Sequence, residues 1–571
     1  MSISIKLNNA VIERVLWLCS ILGLLAIGGF CVVYISSTYD RLASWYLDLT
    51  ESFYRKGYWT SQFFTSATKS KGNSYCIAGI LIAVAGVLYC WQNLKRVKNK
   101  QFAQNKLTIN YKRLLASGLL LLLITIASLI GKSHIVPSND EAFSAVNCAG
   151  IPPFITLSYY MLPNNHVLFN LLNNLLFHSF ADKVATGRVI SLFAYWGAIL
   201  IAFQWLRLYF MPVWLAFLVA LTLALQLPVW GFSFQARGYE LQALASWWAF
   251  ISLYKFISAG ERKWLAGMCF ACICGYACVP TFLYFHTAII GFGIIHTLKN
   301  KNEGLLLLKY QLFIILGVFL FYLPCLCFSG TGAITGNIYV VSGKNLTQLI
   351  SETIPTAQNF LLYCFSLFVP GHYMVETLLF LLPVSLLFKR NYLTRALGWF
   401  YILMWLACII LAVIMKSFPL DRTLPGQFSI TLALCIYSLY NMLTSCASKI
   451  RVPNLANIVL PIFVVLLSIN FLMKNKEYSE HYLCHFPVNY FYGIVMKEGI
   501  LKIPKGSTVS YSDESFYWYY LCFKNGCKVR KVFTGSEDYY VTYILEPLPA
   551  GLQDKYEKNN VVGDYVVYKL K

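Results

Sequence analysis

Residues 111–143 read YKRLLASGLLLLLITIASLIGKSHIVPSNDEAF, and this stretch decides the fold. The Lys-Arg pair at 112–113 precedes an apolar run, residues 114–130, that is long enough to cross a membrane as a helix. Basic residues collect on the cytoplasmic side of such helices, so the run is predicted to carry the chain outward. Two adjacent acids, Asp140 and Glu141, follow at that outer end, in a chain with only 24 acidic residues.

The composition indicates a membrane protein with many spans. The 571 residues are 58% hydrophobic, 16% aromatic and 12% charged, and the mean hydropathy is +0.59. Soluble globular proteins do not reach these values. The formal charge of +22 (46 basic minus 24 acidic residues) does not indicate nucleic-acid binding, because the lysines and arginines lie in short gaps between apolar runs. Most of the 18 cysteines lie inside apolar runs, where they act as small hydrophobes.

Apolar runs separated by basic gaps predict about thirteen transmembrane helices. The N-terminus is then cytoplasmic and the C-terminus lies outside, because the count is odd. The predicted spans are residues 11–34, 75–91, 114–130, 189–205, 213–230, 241–254, 264–279, 281–295, 312–328, 375–387, 397–414, 428–443 and 458–473.

Three parts of the chain are distinguished by composition. Residues 1–112 form an N-terminal two-helix membrane extension, and residues 113–473 form the transmembrane core with an outer loop at 132–187. Residues 474–571 are polar and aromatic with β-type alternation, which predicts a small soluble α/β domain outside the membrane. Cys522 and Cys527 flank a turn in this domain and are either a disulfide or two free thiols.

Ionisable residues inside or beside a membrane are costly and usually functional. In this chain they collect at the predicted outer ends of helices, at Asp140, Glu141, His166, Arg237, Glu240, His372, Asp421 and Arg422. A carboxylate beside arginines can take a proton from a nucleophile while the arginines hold a leaving phosphate. The combination therefore suits transfer of a group from a lipid phosphate.

Each residue also has a plainer interpretation. Asp140 and Glu141 lie where a helix begins, so Asp140 is a candidate N-cap. Arg237 is a candidate interfacial side chain that extends its charge to water. Arg422 follows Asp421, and an exposed ion pair between them would contribute little.

The order of these features resembles the GT-C glycosyltransferases, in particular the family 39 group of protein O-mannosyltransferases and lipid A aminoarabinose transferases. The resemblance is carried by Asp140-Glu141, by Asn164-Asn165-His166 before an apolar segment, and by Ala236-Arg237-Gly238-Tyr239. It covers roughly residues 113–300 well and the later spans loosely. The family places its acidic loop after the first helix, whereas here it follows the third, so residues 1–112 are an addition.

The resemblance implies an inverting transfer from a polyprenyl-phosphate sugar. By that carry-over Asp140 is the general base, and Glu141 is the alternative base or an orienting partner. Arg237, Tyr239, Arg422, His166 and Asn165 form the implied set that binds the donor and its phosphate. Some GT-C enzymes use a divalent cation beside the base, and two adjacent acids and a histidine could support one here. The spacing of these residues is no metal signature, so a divalent metal stays a possible cofactor and no metal ligands are assigned.

The sequence therefore predicts a glycosyltransferase that passes a sugar to a lipid, glycan or protein acceptor outside the cytoplasm. In a bacterium it would lie in the inner membrane. The C-terminal domain either binds the acceptor or stabilises the fold. Two other classes are open: a secondary transporter, which needs a central site, and a non-catalytic scaffold that presents the C-terminal domain.

Overall fold

The computed structural model describes fourteen segments of the chain. They are residues 2–7, 9–49, 59–98, 105–134, 137–160, 165–335, 345–367, 371–450, 455–485, 496–500, 502–512, 516–530, 533–546 and 548–571. Most of these residues are helical, and a small sheet lies near the C-terminus.

The first half of the chain contains two short strands and the helices that carry the acidic pair. In chain order they are β1 (Ser2–Leu7), α1 (Asn9–Ser36), α2 (Tyr39–Asp48), α3 (Ser66–Lys98), β2 (Asn105–Asn110), α4 (Tyr111–His134), α5 (Asn139–Ser144), α6 (Pro153–Ser158), α7 (Val167–Leu176), α8 (Lys183–Tyr209), α9 (Val213–Leu225), α10 (Leu227–Phe232) and α11 (Tyr239–Ala259).

The second half continues the bundle and ends in the sheet. It contains α12 (Arg262–Cys278), α13 (Leu283–Lys299), α14 (Lys301–Phe328), α15 (Gly330–Thr335), α16 (Leu346–Phe365), α17 (Tyr373–Leu381), α18 (Tyr392–Met415), α19 (Pro425–Ile450), α20 (Leu455–His485), α21 (Met496–Ile500), β3 (Thr508–Tyr511), α22 (Phe516–Lys524), β4 (Lys528–Arg530), β5 (Tyr539–Tyr543), β6 (Tyr556–Val562) and β7 (Tyr565–Leu570).

The helices form a multi-pass membrane protein, as the sequence predicts. Within the described residues, nine helices are long and apolar enough to cross a membrane: Glu13–Ser36, Ser66–Arg96, Leu114–Lys132, Lys183–Tyr209, Pro280–Lys299, Lys301–Phe328, Tyr392–Met415, Pro425–Ser448 and Leu455–Ser479. Each of the thirteen predicted spans falls on helical structure, but several of those helices are short, so the number of crossings stays a prediction.

One predicted span is interrupted. The sequence predicts one helix over residues 213–230, but the helix is interrupted at Gln226, between α9 and α10. Pro228 has no N–H to continue the helical hydrogen bonds. Two side chains satisfy carbonyls at the break: the hydroxyl of Tyr195 donates to Ala224 O at 3.0 Å, and Asn475 Nδ2 donates to Leu225 O at 2.8 Å.

The core of the bundle is an apolar cluster shared mainly by α8, α9, α11, α13, α18 and α19. Trp205 and Trp247 are among its largest fully buried side chains. Large apolar side chains are exposed on the other faces of the long helices, for example Leu22, Leu81 and Ile409. That distribution is typical of helices that face lipid on one side and protein on the other.

The N-terminal extension carries a two-stranded ribbon of its own and packs on the core through aromatic side chains. Strands β1 and β2 both lie within residues 1–112 and pair antiparallel, with Ser2 opposite Asn110. Tyr46 stacks on Trp59 (centroids 4.4 Å apart), and the indole of Trp59 donates to Phe328 O on α14. The sequence predicted the helices of this extension but not the ribbon.

The C-terminal sheet has five strands in the order β4-β3-β5-β7-β6. Strand β3 lies parallel to β4 and β5, whereas β7 lies antiparallel to β5 and β6. With α22 beside it, this is the α/β domain that the sequence predicts. The helix before it, α20, extends to His485 and so passes the predicted domain boundary at residue 473.

Candidate active site

The acidic pair lies in the first turn of helix α5. Ser138 is the N-cap: its hydroxyl accepts from the backbone N–H of Glu141, and the Glu141 carboxylate accepts from the N–H of Ser138 at 2.8 Å. This capping box follows from the Ser-x-x-Glu spacing. The plainer interpretation is therefore right that the acids begin a helix, but the cap is Ser138 and not Asp140.

Glu141 is fully buried and its carboxylate is committed to other groups. Arg188 donates to both carboxylate oxygens, at 2.9 and 3.0 Å, and is itself 7% exposed. The backbone N–H of Ala236 also donates to Glu141, at 2.7 Å. A carboxylate with four donors and no access to solvent is poorly suited to take a proton from a substrate. The contacts of Glu141 join α5, α8 and the turn at residues 233–238, which is called the corner before α11.

Asp140 has the opposite environment. Its side chain is 42% exposed, and Oδ2 lies 3.7 Å from Nη2 of Arg237 and 3.7 Å from Nη1 of Arg422. These separations are too long for hydrogen bonds, so the pairs are electrostatic. The structure thus brings together three charged residues that are far apart in the sequence.

Arg237 is buried and held by the helix that carries Asp140. Its Nη1 donates to the hydroxyl of Ser144 at 2.9 Å and lies 3.3 Å from Asp140 O. Its guanidinium carbon lies 5.5 Å from the ring centre of Tyr239. Because Arg237 is only 4% exposed, the interpretation of an interfacial side chain reaching for water does not fit.

His166 lies against Arg237 and the following glycine. The backbone N–H of Gly238 donates to Nδ1 at 2.7 Å, which leaves the ring proton on Nε2 when the ring is neutral. Nε2 lies 3.3 Å from Nη2 of Arg237. Burial, and then the positive charges of Arg237 and Arg422, hold the pKa of His166 well below its usual range.

Gly238 is required by this packing. A Cβ at this position would lie 2.9 Å from Nδ1 and 3.0 Å from Cβ of His166. The rings of His166 and Tyr239 also meet in a T-shaped arrangement, with centroids 4.7 Å apart. The Arg-Gly-Tyr order at 237–239 therefore builds one packed unit with His166.

Asn165 is buried and supports the backbone beside the site. Its Nδ2 donates to Thr156 O at 3.0 Å and to Tyr159 O at 2.6 Å, and its Oδ1 accepts from Asn170 at 2.9 Å. These contacts fix the segment that carries His166. Asn164, which belongs to the same sequence pattern, lies outside the described residues.

Arg422 reaches the site from the loop before α19. Its side chain is 48% exposed, and its backbone N–H donates to Asp421 Oδ1 at 2.6 Å. The guanidinium pairs across the site with Asp140, so the alternative of an ion pair between Arg422 and its neighbour does not describe this contact.

Arg188 and Ser191, which hold the corner before α11, are not among the residues predicted from the sequence. Arg188 binds Glu141, and the hydroxyl of Ser191 donates to Gln235 O at 2.6 Å. The signal for Arg188 was present: it is an arginine at the predicted outer start of an apolar span, as Arg237 is. Ser191 carries no comparable signal because serines are common in such helices.

The C-terminal domain packs directly against the helix that carries Asp140. Tyr517 on α22 donates from its hydroxyl to Pro137 O at 2.9 Å, one residue before the N-cap. Ala142 on α5 and Ala236 share an apolar cluster with Trp518. Lys524 at the end of α22 pairs with Asp182, the N-cap of α8.

The site does not fit a divalent metal. Among the described residues, no group of three or more His, Cys, Asp or Glu side chains is placed to hold an ion. Asp140 faces two guanidinium groups, and Glu141 already accepts from Arg188, so the carboxylates at hand are neutralised by cations of the protein.

No protein-family model and no curated protein sequence matches the chain. Comparison of structures finds ArnT from Cupriavidus metallidurans bound to undecaprenyl phosphate, with a TM-score of 0.49 and 12% identity over 79% of this chain and 97% of that chain. ArnT from the same organism in the apo state gives a TM-score of 0.39 and 11% identity over 80% and 98% of the two chains. Both TM-scores are below 0.5, so the roles of residues in this chain are argued from its own geometry.

Proposed function

We propose that the chain is a GT-C-type glycosyltransferase that moves a sugar from a polyprenyl-phosphate donor to an acceptor outside the cytoplasm. The observation that carries the proposal is the convergence of a half-exposed carboxylate, Asp140, with two guanidinium groups, Arg237 and Arg422. These residues come from three separate segments that meet at one end of the membrane bundle. We place that end outside, because the basic gaps lie at the opposite ends of the helices.

The arginines provide the phosphate site. Both guanidinium groups lie 3.7 Å from the Asp140 carboxylate, so two positive charges face one accessible point of the site. Arginine binds phosphate with two parallel N–H bonds, and its charge stabilises the negative charge that develops as the phosphate leaves. His166 adds a third donor, because its neutral ring carries a proton on Nε2 beside Arg237.

Asp140 provides the base. Its carboxylate is accessible, whereas that of Glu141 is buried and occupied. In the proposed step an acceptor O–H or N–H gives its proton to Asp140 while its heavy atom forms a bond to the anomeric carbon. The bond from that carbon to the phosphate oxygen breaks, and the polyprenyl phosphate leaves with the electron pair. Attack opposite to the leaving group inverts the anomeric centre.

Glu141, Asn165 and Tyr239 act through their neighbours in this proposal. Glu141 fixes the helix of Asp140 relative to the corner of Arg237, and Asn165 fixes the segment of His166. Tyr239 packs against both His166 and Arg237. The acceptor stays open among a lipid, a glycan and a protein.

The proposal is tested by sugar transfer in membranes that contain the overproduced protein. Wild-type membranes are incubated with a panel of radiolabelled polyprenyl-phosphate sugars, and label is followed into lipid, glycan and protein fractions. We expect transfer from at least one donor. For Arg422→Lys we expect a donor KM raised about tenfold, because a charge-assisted hydrogen bond to phosphate is lost from a half-exposed side chain.

Arg262→Lys is the matched control, because Arg262 is exposed and lies in a predicted cytoplasmic gap. It should leave the donor KM unchanged. An Arg422→Lys enzyme with wild-type donor KM would contradict the phosphate site. Accumulation of an unmodified solute inside sealed vesicles would favour the secondary transporter instead.

A further inference from the structure

Two cysteines of the C-terminal domain are held side by side by the way helix α22 ends. Gly526 has φ of +79°, the backbone N–H of Cys527 donates to Cys522 O at 3.0 Å, and the N–H of Gly526 donates to Phe523 O at 3.0 Å. This pair of bonds defines a Schellman motif, which brings the residue after the glycine against the third residue from the helix end. Those two residues are Cys527 and Cys522.

The two thiols are free, adjacent and unequal. Both side chains are buried, and the Cys527 thiol donates to Pro504 O at 3.8 Å. The neighbouring Cys522 thiol lowers the pKa of Cys527 to about 7, against the opposing effect of burial, and the same pairing raises the pKa of Cys522. Thiolates are the reactive form of cysteine, so Cys527 is the nucleophile of the pair near neutral pH.

The helix that carries Cys522 also holds the helix that carries Asp140. Tyr517 donates to the backbone directly before the cap of α5, and Trp518 shares an apolar cluster with Ala142 on α5. At its other end Lys524 pairs with Asp182 at the start of α8. A covalent link at the end of α22 would therefore restrain a helix that contacts both α5 and α8.

We propose that Cys522 and Cys527 are a thiol–disulfide exchange site whose disulfide form fixes α22 and, through it, the position of Asp140. The link to sugar transfer rests on the proposed function, and the oxidation rests on the placement of this domain outside the cytoplasm, where disulfides persist. The co-reactant is a disulfide oxidant, either a small molecule or a protein.

The exchange proceeds in two balanced steps. The Cys527 thiolate attacks one sulfur of the oxidant and releases the other sulfur as a thiolate, which leaves a mixed disulfide. The Cys522 thiol then loses its proton and attacks the Cys527 sulfur, which forms the internal disulfide and releases the second thiolate. Two electrons pass to the oxidant, whose disulfide is reduced to two thiols.

The disulfide is tested without any activity measurement. Lys505, Lys524 and Lys528 are trypsin sites, so Cys522 and Cys527 fall on separate peptides, 506–524 and 525–528. Membranes are prepared without reductant, free thiols are blocked with N-ethylmaleimide, and the digest is analysed by mass spectrometry. We expect the two peptides to be joined, and to separate after reduction or in Cys522→Ser. Two peptides that each carry maleimide in the unreduced wild type would overturn the proposal.

The positioning effect is tested by transfer before and after reduction. We expect reduction to lower wild-type transfer several-fold and to leave the double variant Cys522→Ser/Cys527→Ser unchanged, since it has no link to break. Full reduction with unchanged transfer would overturn the positioning role. If wild-type membranes show no transfer in any condition, the proposed function fails, while the joined peptides still decide the disulfide.

Discussion

Two adjacent acids, Asp140 and Glu141, have opposite environments because they lie in one helical turn and point to different neighbours. Glu141 is fully buried beneath Arg188, whereas Asp140 is 42% exposed between Arg237 and Arg422. The sequence resemblance implied Asp140 as the base and Glu141 as the alternative base or an orienting partner. Only the positions of Arg188 and Ala236, which are distant in sequence, show that the Glu141 carboxylate is occupied.

The neutrality of His166 leads to a prediction about pH and stability. The folded protein keeps the ring neutral, because its pKa lies well below the usual value of 6.5, whereas the unfolded chain takes up a proton as the pH falls through that value. The contribution of His166 to the free energy of unfolding is therefore complete above pH 6.5. Below that pH it falls by about 1.4 kcal/mol for each pH unit, until the pKa of the folded protein is reached.

The measurement is the melting temperature of the protein in detergent at about pH 7.5 and about pH 5.5, on either side of the histidine reference value. Wild type should lose more stability over this interval than His166→Gln, whose amide oxygen can accept from Gly238 without titrating. Equal losses in the two proteins would show that His166 is protonated in the folded state.

At the scale of elements, the spans were predictable and their interruptions were not. Apolar length between basic gaps located the nine described helices that are long and apolar enough to cross a membrane, because such a helix must hide its backbone polar groups within itself. It did not locate the 20-residue helix α16. The helix break at Gln226 could not be predicted from apolar length, because the side chains that replace the lost backbone partners, Tyr195 and Asn475, are distant in sequence. The β1–β2 ribbon could not be predicted either, because the first two predicted spans separate its strands.

The ion pair between Glu141 and Arg188 should decide whether α5 and α8 stay together. Breaking a buried pair leaves one charge without a partner, so Glu141→Gln should lower the free energy of unfolding by about 3–5 kcal/mol. Arg188→Met should cost a similar amount. The double variant should lose less than the sum, because neither charge is left alone.

These energies are measured by denaturant unfolding of the four proteins in the same detergent. Additive losses would mean that the two side chains do not interact. A stable Glu141→Gln protein with no transfer would contradict the structural role and would return Glu141 to the list of candidate bases.

At the scale of the whole molecule, the site is built from parts that are far apart in the chain. Residues 138–144, 166 and 237–239 come from the stretch where the sequence resemblance is best, and Arg422 comes from a later loop. The C-terminal domain adds α22 against α5. Composition predicted that this domain exists, but its docking on α5 depends on Tyr517 and Trp518, two aromatic residues among many.

The docking of this domain leads to a prediction. Trp518 is fully buried in the cluster shared with Ala142 and Ala236, so Trp518→Ala should destabilise the docked domain by about 3–5 kcal/mol. Transfer should fall because Asp140 loses its support, while the membrane bundle should keep its helical content. Limited proteolysis measures the destabilisation of the domain, and circular dichroism measures the helical content of the bundle. Leu545→Ala, at an exposed side chain of the same domain, is the control.

The C-terminal domain of Trp518→Ala could become sensitive to protease while the protein retains sugar transfer. That result would show that the docked domain is not needed for transfer. The domain would then be a candidate for acceptor binding or for the scaffold role alone.

The most direct test of the central claim compares sugar transfer by wild type and Asp140→Asn in membranes with equal amounts of each protein. Asparagine keeps the size of the side chain and removes the base, so we predict loss of transfer by a factor of about 10²–10⁴ with an unchanged melting temperature. Asp554→Asn, at an exposed acid of the C-terminal domain, should transfer as wild type does. Equal transfer by wild type and Asp140→Asn would contradict the assignment of Asp140 as the base.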